Sequence, residues 1–331
     1  KIGFISGDFK EHPVGYLLKD TLKYLKEKNL KLFAYSNTLK KDNYSLKLKS
    51  HFNSWNEIYN KTDKELVNQI RNDGIHILID LSGHSAKNRL PIFINKVAPI
   101  QITWGGYPGS TGISEIDYII GDGYVTPFKD KKYFTEKIFH LPNIWISFTA
   151  PDFDIKIKEL PANKNKYITF GSFNNLAKIN EDVICLWSKI IKAVPKSKIF
   201  FKSAPLDNLN MRKKLIDNFK KYNIDSNSII LEGKSARYQS LESYNKVDIA
   251  LDPFPYSGAI TTFEAMWMGV PVLTKKGSKF VSRQTESINN NSNMSDWVAE
   301  NEEDYYKKAI KFASDIKYLS KVKANLRNKV L

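Results

Sequence analysis

Short apolar runs alternate along this chain with longer stretches in which apolar residues recur every three or four positions. KIGFISG (Lys1–Gly7) reads as a buried strand. Pro13 opens a helix, GYLLKDTLKYLKE, that carries Leu17, Leu18, Thr21, Leu22 and Leu25 on one face. Leu30–Asn37 reads as a second strand. A helix through DKELVNQIRNDG is terminated by Gly74, and Ile75–Gly83 is a strongly apolar strand. NRLPIFINKVAP predicts a short helix, and PIQITWGGYPGSTG a strand running into a Gly/Pro loop. DYIIGDG and EKIFHLPNIW are further strand-like pieces. Apolar strands alternating with amphipathic helices predict a parallel sheet with helices on both faces.

The rhythm fails over Phe148–Lys166, which is polar and carries two prolines. That stretch predicts a linker at 151–166 between an N-terminal domain, 1–150, and a C-terminal domain, 167–331. The second series starts at YITFGSFNN. It continues through the helix EDVICLWSKIIKAVP, the strand SKIFFKS, the helix NLNMRKKLIDNFKKY, the strand SIILEGK and the short helix SLESYNKV. Next comes DIALDPFPYSGAITTFEAMWMGVPVLT, Asp248–Thr274: a strand, a Pro/Gly/Ser turn, then a helix entered through Thr261 and Thr262. Such a unit aims free N–H groups and a partial positive charge at whatever lies above the strand ends, which suits a phosphate. Glu264, one turn on, could accept from a ribose. An ordinary crossover with Thr as helix cap fits the same residues. Ligands in such sheets bind outside the carboxyl ends of the strands, and two facing sheets would put a cleft between them.

Composition bounds this picture. The chain has 331 residues, 42% of them hydrophobic, enough for about two domains. Its net charge of +16 is dispersed along the chain as lysines. A basic surface favours an anionic cofactor or partner, but no nucleic-acid-binding signature accompanies it, so no nucleic acid is expected. Cys185 stands alone within a helical apolar pattern. It reads as core packing, excludes an internal disulfide and fits a reducing, cytoplasmic setting. No signal peptide and no membrane-spanning run is legible. The chain begins abruptly in a strand, from which an N-terminal portion is expected to be missing.

Three loops that follow strands carry polar clusters. SGDFKEHP holds Asp8 and His12; DLSGHSAKNR holds Asp80, His84, Asn88 and Arg89; FNNLAKIN holds Asn174, Asn175 and Lys178. His12 and His84 stand where strands end, and Lys178 could reach a diphosphate as a point charge. A surface histidine and one more solvated lysine are the plain alternatives. His76, within an apolar strand, reads as structural, and His51 and His140 show no partner spacing. The Asp152–Asp154 pair reads as linker carboxylates. HExxH, paired Cys, GxSxG, Walker and GxGxxG patterns are missing, so neither a metal site nor a dinucleotide site is expected.

Taken together and in collinear order, SGDFKEHPVGYLL, ILIDLSGHSAKNRL, PIQITWGGYPGSTGISEIDYIIGD, GSFNNLAKIN, LDPFPYSGAITTFEAMWMGVPVLT and VSRQTES resemble the catalytic region of protein O-GlcNAc transferases, glycosyltransferase family 41, especially bacterial, SPINDLY-like members. The resemblance implies an α/β GT-B fold of two Rossmann-like parallel-sheet domains facing across a cleft. It implies an inverting transfer of GlcNAc from UDP-GlcNAc to Ser or Thr hydroxyls of acceptor proteins, no metal, no membrane, and an N-terminal tetratricopeptide array outside this chain. Residue by residue, it makes His12 the candidate base and Lys178 the diphosphate contact. Asn175, Arg237, Ser257, Gly258, Thr261, Thr262 and Glu264 fall on the donor side, and His84, Pro108 and Gly109 on the sugar and acceptor side. Ala259 and Ser240 stand where animal members carry histidines. GDP-fucose as donor, and a non-catalytic scaffold module, are therefore the alternative expectations.

Overall fold

Residues 1–330 are described in a computed structural model, which divides into two units, Lys1–Thr149 and Ala150 onward. Unit 1 is built on a seven-stranded sheet: β1 (Ile2–Ser6), β2 (Leu32–Ser36), β3 (Ser54–Glu57), β4 (Ile77–Asp80), β5 (Ile100–Thr103), β6 (Tyr118–Gly121) and β7 (Lys137–His140). Every pairing is parallel, in the order β3-β2-β1-β4-β5-β6-β7. Its helices are α1 (Pro13–Glu27), α2 (Asn43–Lys49) and α3 (Asp63–Asp73). Successive strand residues face opposite ways, so Phe4 joins one apolar cluster with Leu18 and Leu22, and Ile5 another with Leu66 and Ile70.

Local signals explain the helix ends. Pro13 starts α1, and Gly74 ends α3 in the left-handed conformation. Thr62 and Glu65 cap α3 reciprocally, which stabilises it by about 1 kcal/mol. Three details differ from the sequence reading. The segment NRLPIFIN forms a 3₁₀ helix, Leu90–Asn95, rather than an α-helix. His76 is exposed just before β4 and meets the chain's amino terminus at 3.0 Å, outside the strand. The elements α2 and β3 were not foreseen: β3 reads SWNE, and an edge strand that buries none of its residues fully shows no apolar alternation.

Unit 2 carries six parallel strands: β8 (Thr169–Ser172), β9 (Lys198–Lys202), β10 (Ile229–Glu232), β11 (Ile249–Leu251), β12 (Val272–Lys275) and β13 (Val298–Ala299), in the order β10-β9-β8-β11-β12-β13. Its helices are α4 (Pro161–Asn165), α5 (Glu181–Ala193), α6 (Leu209–Lys220), α7 (Arg237–Glu242), α8 (Ile260–Trp267), α9 (Gln284–Asn291), α10 (Glu302–Ser314) and α11 (Ile316–Asn325). Both sheets reverse their winding at one place, between β1 and β4 and between β8 and β11. In sheets of this kind that switch point opens a crevice at the carboxyl ends of the strands.

The stretch 151–166 is fastened to unit 2. Within it α4 forms, Leu160, Pro161 and Ala162 are buried, and the Ala162 amide donates to Asp248 at 2.9 Å. Cys185 lies half-buried on α5 rather than in its core face, where Ile184 and Trp187 sit. The unforeseen helix α9 is polar in sequence, QTESINNN, yet Gln284 through Asn289 are buried, so its face is matched by hydrogen bonds instead of apolar contact.

Candidate functional site

In unit 2 the loop after β11 is built around Asp252. This carboxylate is buried and accepts from the Gly258 amide and the Thr274 hydroxyl, both at 2.7 Å. Burial pushes its pKa up to about 6, against those hydrogen bonds and the charge of Lys178. The chain closes tightly here: a Cβ on Gly258 would stand 2.7 Å from the hydroxyls of Thr261 and Thr262, so only glycine fits.

Helix α8 comes next, with Ala259 as its N-cap and no side chain capping it. The threonines are therefore not the cap; they are its second and third residues. Thr262 is buried, 2.9 Å from Thr285, whose own hydroxyl donates to the Gly258 carbonyl at 3.0 Å. With that single proton committed, Thr262 is the donor of the pair and serves as a brace. Thr261 remains partly exposed and donates to Asn174 Oδ1 at 3.3 Å.

Lys178 reaches the same loop from the 3₁₀ turn after β8. Its Nζ donates to the Ser257 carbonyl at 2.9 Å and to Asn174 Oδ1 at 3.2 Å, and lies 4.1 Å from the centre of the Tyr256 ring. Burial lowers its pKa to about 8, the Asp252 charge opposing. Asn175 is exposed and caps the 3₁₀ turn by accepting from Ala177 at 3.0 Å. Arg237 and Glu264 face each other: Arg237 Nη1 donates to Glu264 Oε1 at 2.6 Å, with the two side chains 17% and 14% exposed. Burial still raises the Glu264 pKa, with Arg237 opposing. Below them the buried Tyr244 stacks on Phe173 at 3.8 Å and donates to the Thr261 carbonyl at 3.1 Å.

Unit 1 has its own loop at the end of β4. Asp80 is buried and accepts from the Ser82 and Gly83 amides and the Thr103 hydroxyl, at 3.1, 2.7 and 3.0 Å. Burial raises its pKa too. His84 is exposed, 6.5 Å edge-on from Tyr107, with Pro108 buried and Gly109 turning back onto the Tyr107 carbonyl at 3.0 Å. Asn88 and Arg89 are structural ties; Arg89 holds Asp63 and the carbonyls of Ile58 and Lys61. After β1, His12 is the N-cap of α1. Its Nδ1 accepts from the Val14 amide at 3.4 Å and stands 3.8 Å from Asp8 Oδ2. Burial holds its pKa below 6.5, Asp8 opposing, so the imidazole is neutral at pH 7.

The sequence reading located Lys178, Thr261 and the Asn174 loop, and missed their supports. Asp252 was hidden at the end of an apolar strand, Thr274 lies one strand away, and Gln284 and Thr285 sit in a polar run without periodicity. The doublet Thr274 and Asp252, one residue beyond the paired Leu251 and Leu273, is the signal that a parallel register would have supplied. Among the described residues no group of His, Cys, Asp and Glu is arranged to hold a metal ion, and no helix is long and apolar enough to cross a membrane.

The family model for glycosyl transferase family 41 matches residues 1–150 and 158–330. A Solanum lycopersicum protein named "probable UDP-N-acetylglucosamine–peptide N-acetylglucosaminyltransferase SPINDLY" is 33% identical over 98% of this chain. The chain spans 36% of that relative's length, about a third. Among solved structures, an O-GlcNAc transferase mutant from Thermobaculum terrenum superposes with a TM-score of 0.94 and 31% identity, covering 99% of this chain and 62% of that one. A glycosyltransferase from Rickettsia africae shares the fold alone, at a TM-score of 0.61 and 13% identity. The two parallel sheets and the first of these superpositions bear out the expected α/β, GT-B fold class.

Proposed function

The chain belongs to glycosyl transferase family 41, and from that premise we propose that it transfers GlcNAc from UDP-GlcNAc to Ser or Thr hydroxyls of acceptor proteins. The observation that carries this reading is one loop in unit 2. There a half-buried cation, Lys178, and the uncapped N-terminus of α8 converge on Ser257–Thr261. Oriented backbone dipoles and an ammonium in a partly dry setting suit the charge that grows on a departing diphosphate, a role that needs no metal. In this reading Lys178, Ser257, Gly258 and Thr261 meet the diphosphate. Thr262 holds the loop's shape, Asn175 holds the turn that carries Lys178, and Glu264 faces the ribose with Arg237 beside it.

For the proton of the attacking hydroxyl, unit 1 offers His12. Its Nδ1 has two neighbours with opposite demands: the Val14 amide needs a lone pair there, Asp8 a proton. With Nδ1 accepting from Val14 the neutral ring carries its proton on Nε2; giving up that contact for a proton on Nδ1 facing Asp8 would free Nε2 to act as base. His84, Pro108 and Gly109 belong to the sugar and acceptor side of the same proposal, as do a tetratricopeptide array preceding this region and a cytoplasmic setting.

Turnover with a panel of UDP- and GDP-sugars tests the reading. UDP-GlcNAc is expected to be consumed in an acceptor-dependent way, with kcat/KM falling as pH drops below the His12 pKa. His12→Ala with an unchanged pH profile and rate would remove it as base. GDP-fucose as donor is the second reading, supported by Ala259 and Ser240 standing where histidines are found in animal members; GDP raising the melting temperature more than UDP would favour it.

A further inference from the structure

The α-helices of unit 1 all precede β4, and the strands after it, β5 to β7, are joined by 3₁₀ turns and loops. The sheet therefore runs out from under its helical cover toward β7. This strand pairs with β6 alone and closes the sheet order at that side. The amides of Lys137 and Leu141 donate inward, to Asp117 and Gly121 of the β6 side, at 2.9 Å each. In a parallel ladder that alternation turns the peptide groups of Ile138 and His140 to the outer edge. On one face beside this edge Phe139 is 52% exposed, with its ring edge-on to Tyr118 at 6.2 Å. His140 points to the opposite face, where the Phe128 ring of the 3₁₀ turn Phe128–Tyr133 lies 4.3 Å from it; Phe128 and Tyr133 are 68% and 67% exposed.

The surrounding charge is mostly of one sign, with the half-buried Asp130 of the 3₁₀ turn against it. Lys131, Lys132 and Lys137 are exposed here. Of the nearby acids, Glu136 is buried and spent on Thr111 and Ser110. Natural edge strands are blunted by lysines, but exposed aromatic rings beside one are the pattern of a surface meant to be covered.

We propose that the outer edge of β7 and the bare face beside it dock an acidic, extended segment of a partner protein, added to the sheet as a further strand. The outward peptide groups supply the backbone pairing, Phe139 packs apolar side chains on one face, and the lysines of the 3₁₀ turn beside the other face select acidic residues, so the added strand alternates the two. Lipid does not satisfy a row of peptide groups, and a second copy of this chain would bring lysines against lysines.

The test is selection from a random peptide library on the whole chain, with counter-selection on Phe139→Ser and on the double variant Lys131→Glu/Lys132→Glu. The expected winners alternate acidic and apolar residues. In anisotropy titrations their affinity drops about tenfold or more on Phe139→Ser, on the double charge reversal, and on placing a proline at the peptide's centre. Both variants are exposed, and an unchanged melting temperature and UDP affinity show them folded; the charge reversal carries the test alone if Phe139→Ser unfolds. The proposal is overturned if no enriched peptide depends on these residues, or if the proline is tolerated. It is equally overturned if phosphatidylserine vesicles or oligouridylate bind in the peptide's place and are lost on the same substitutions, or if gel filtration shows a dimer that they dissolve.

Discussion

The loop after β4 in unit 1 and the loop after β11 in unit 2 are anchored by the same device. Each sits on a strand at its sheet's switch point; β4 ends on the buried Asp80, and the buried Asp252 directly follows β11. Each aspartate accepts from a glycine amide a few residues on, Gly83 or Gly258, and from a threonine on the neighbouring strand, Thr103 or Thr274. Burial raises both pKa values. Past these anchors the two loops diverge. Beyond Asp80 the chain passes through exposed His84 to a 3₁₀ helix, whereas beyond Asp252 it enters α8 beside Lys178. A buried carboxylate thus fixes a loop without specifying its chemistry; the chemistry comes from the element the loop feeds and from the charge brought to it.

The comparison can be broken by removing both anchors. Asp252→Ala strands a buried amide and a buried hydroxyl, Asp80→Ala two amides and a hydroxyl, and each is expected to cost roughly 3 kcal/mol of stability in denaturant titration. Only Asp252→Ala should also weaken UDP binding; an equal loss of UDP affinity in Asp80→Ala would erase the distinction. Lys178→Ala sharpens it. Turnover is expected to fall about a hundredfold with little change in melting temperature. A folded variant with undiminished turnover would deprive unit 2 of its special role.

Arg237→Ala should weaken UDP about tenfold, a smaller effect because the proposed role of the pair is on the ribose side and not at the diphosphate. The loss is expected to shrink for 2′-deoxy-UDP if Glu264 meets that hydroxyl. The smallest effect is on pH. Free Lys178 loses its proton near pH 8 and must hold it to face a phosphate, so UDP affinity is expected to drop about fourfold from pH 7 to pH 8.5. Lys178→Ala should flatten that profile, as measured by calorimetry across the range.

The strands and amphipathic helices were legible because each buries an apolar stripe of its own, as β1 and α1 do. Where burial is polar, as in α9, or where a strand lies at a sheet edge, as in β3 and the two-residue β13, periodicity carries no signal. Lys178 and Thr261 could be picked out because their loops come directly after strands. The meeting of Arg237 with Glu264 could not, since it depends on α7 lying against α8. For Thr262 the sequence placed the residue correctly in the helix start, but its commitment to Thr285 is a matter of tertiary packing.

Lys178 rests among neutral acceptors, the Ser257 carbonyl and the Asn174 amide oxygen, with the Tyr256 ring above. None of these compels it to stay charged. Under the proposed role, a departing nucleotide lets the pocket discharge by giving a proton to solvent, so ligand exchange there is also proton exchange. Near pH 8 each arriving nucleotide would draw in about half a proton, and the heat of binding would track the ionisation enthalpy of the buffer.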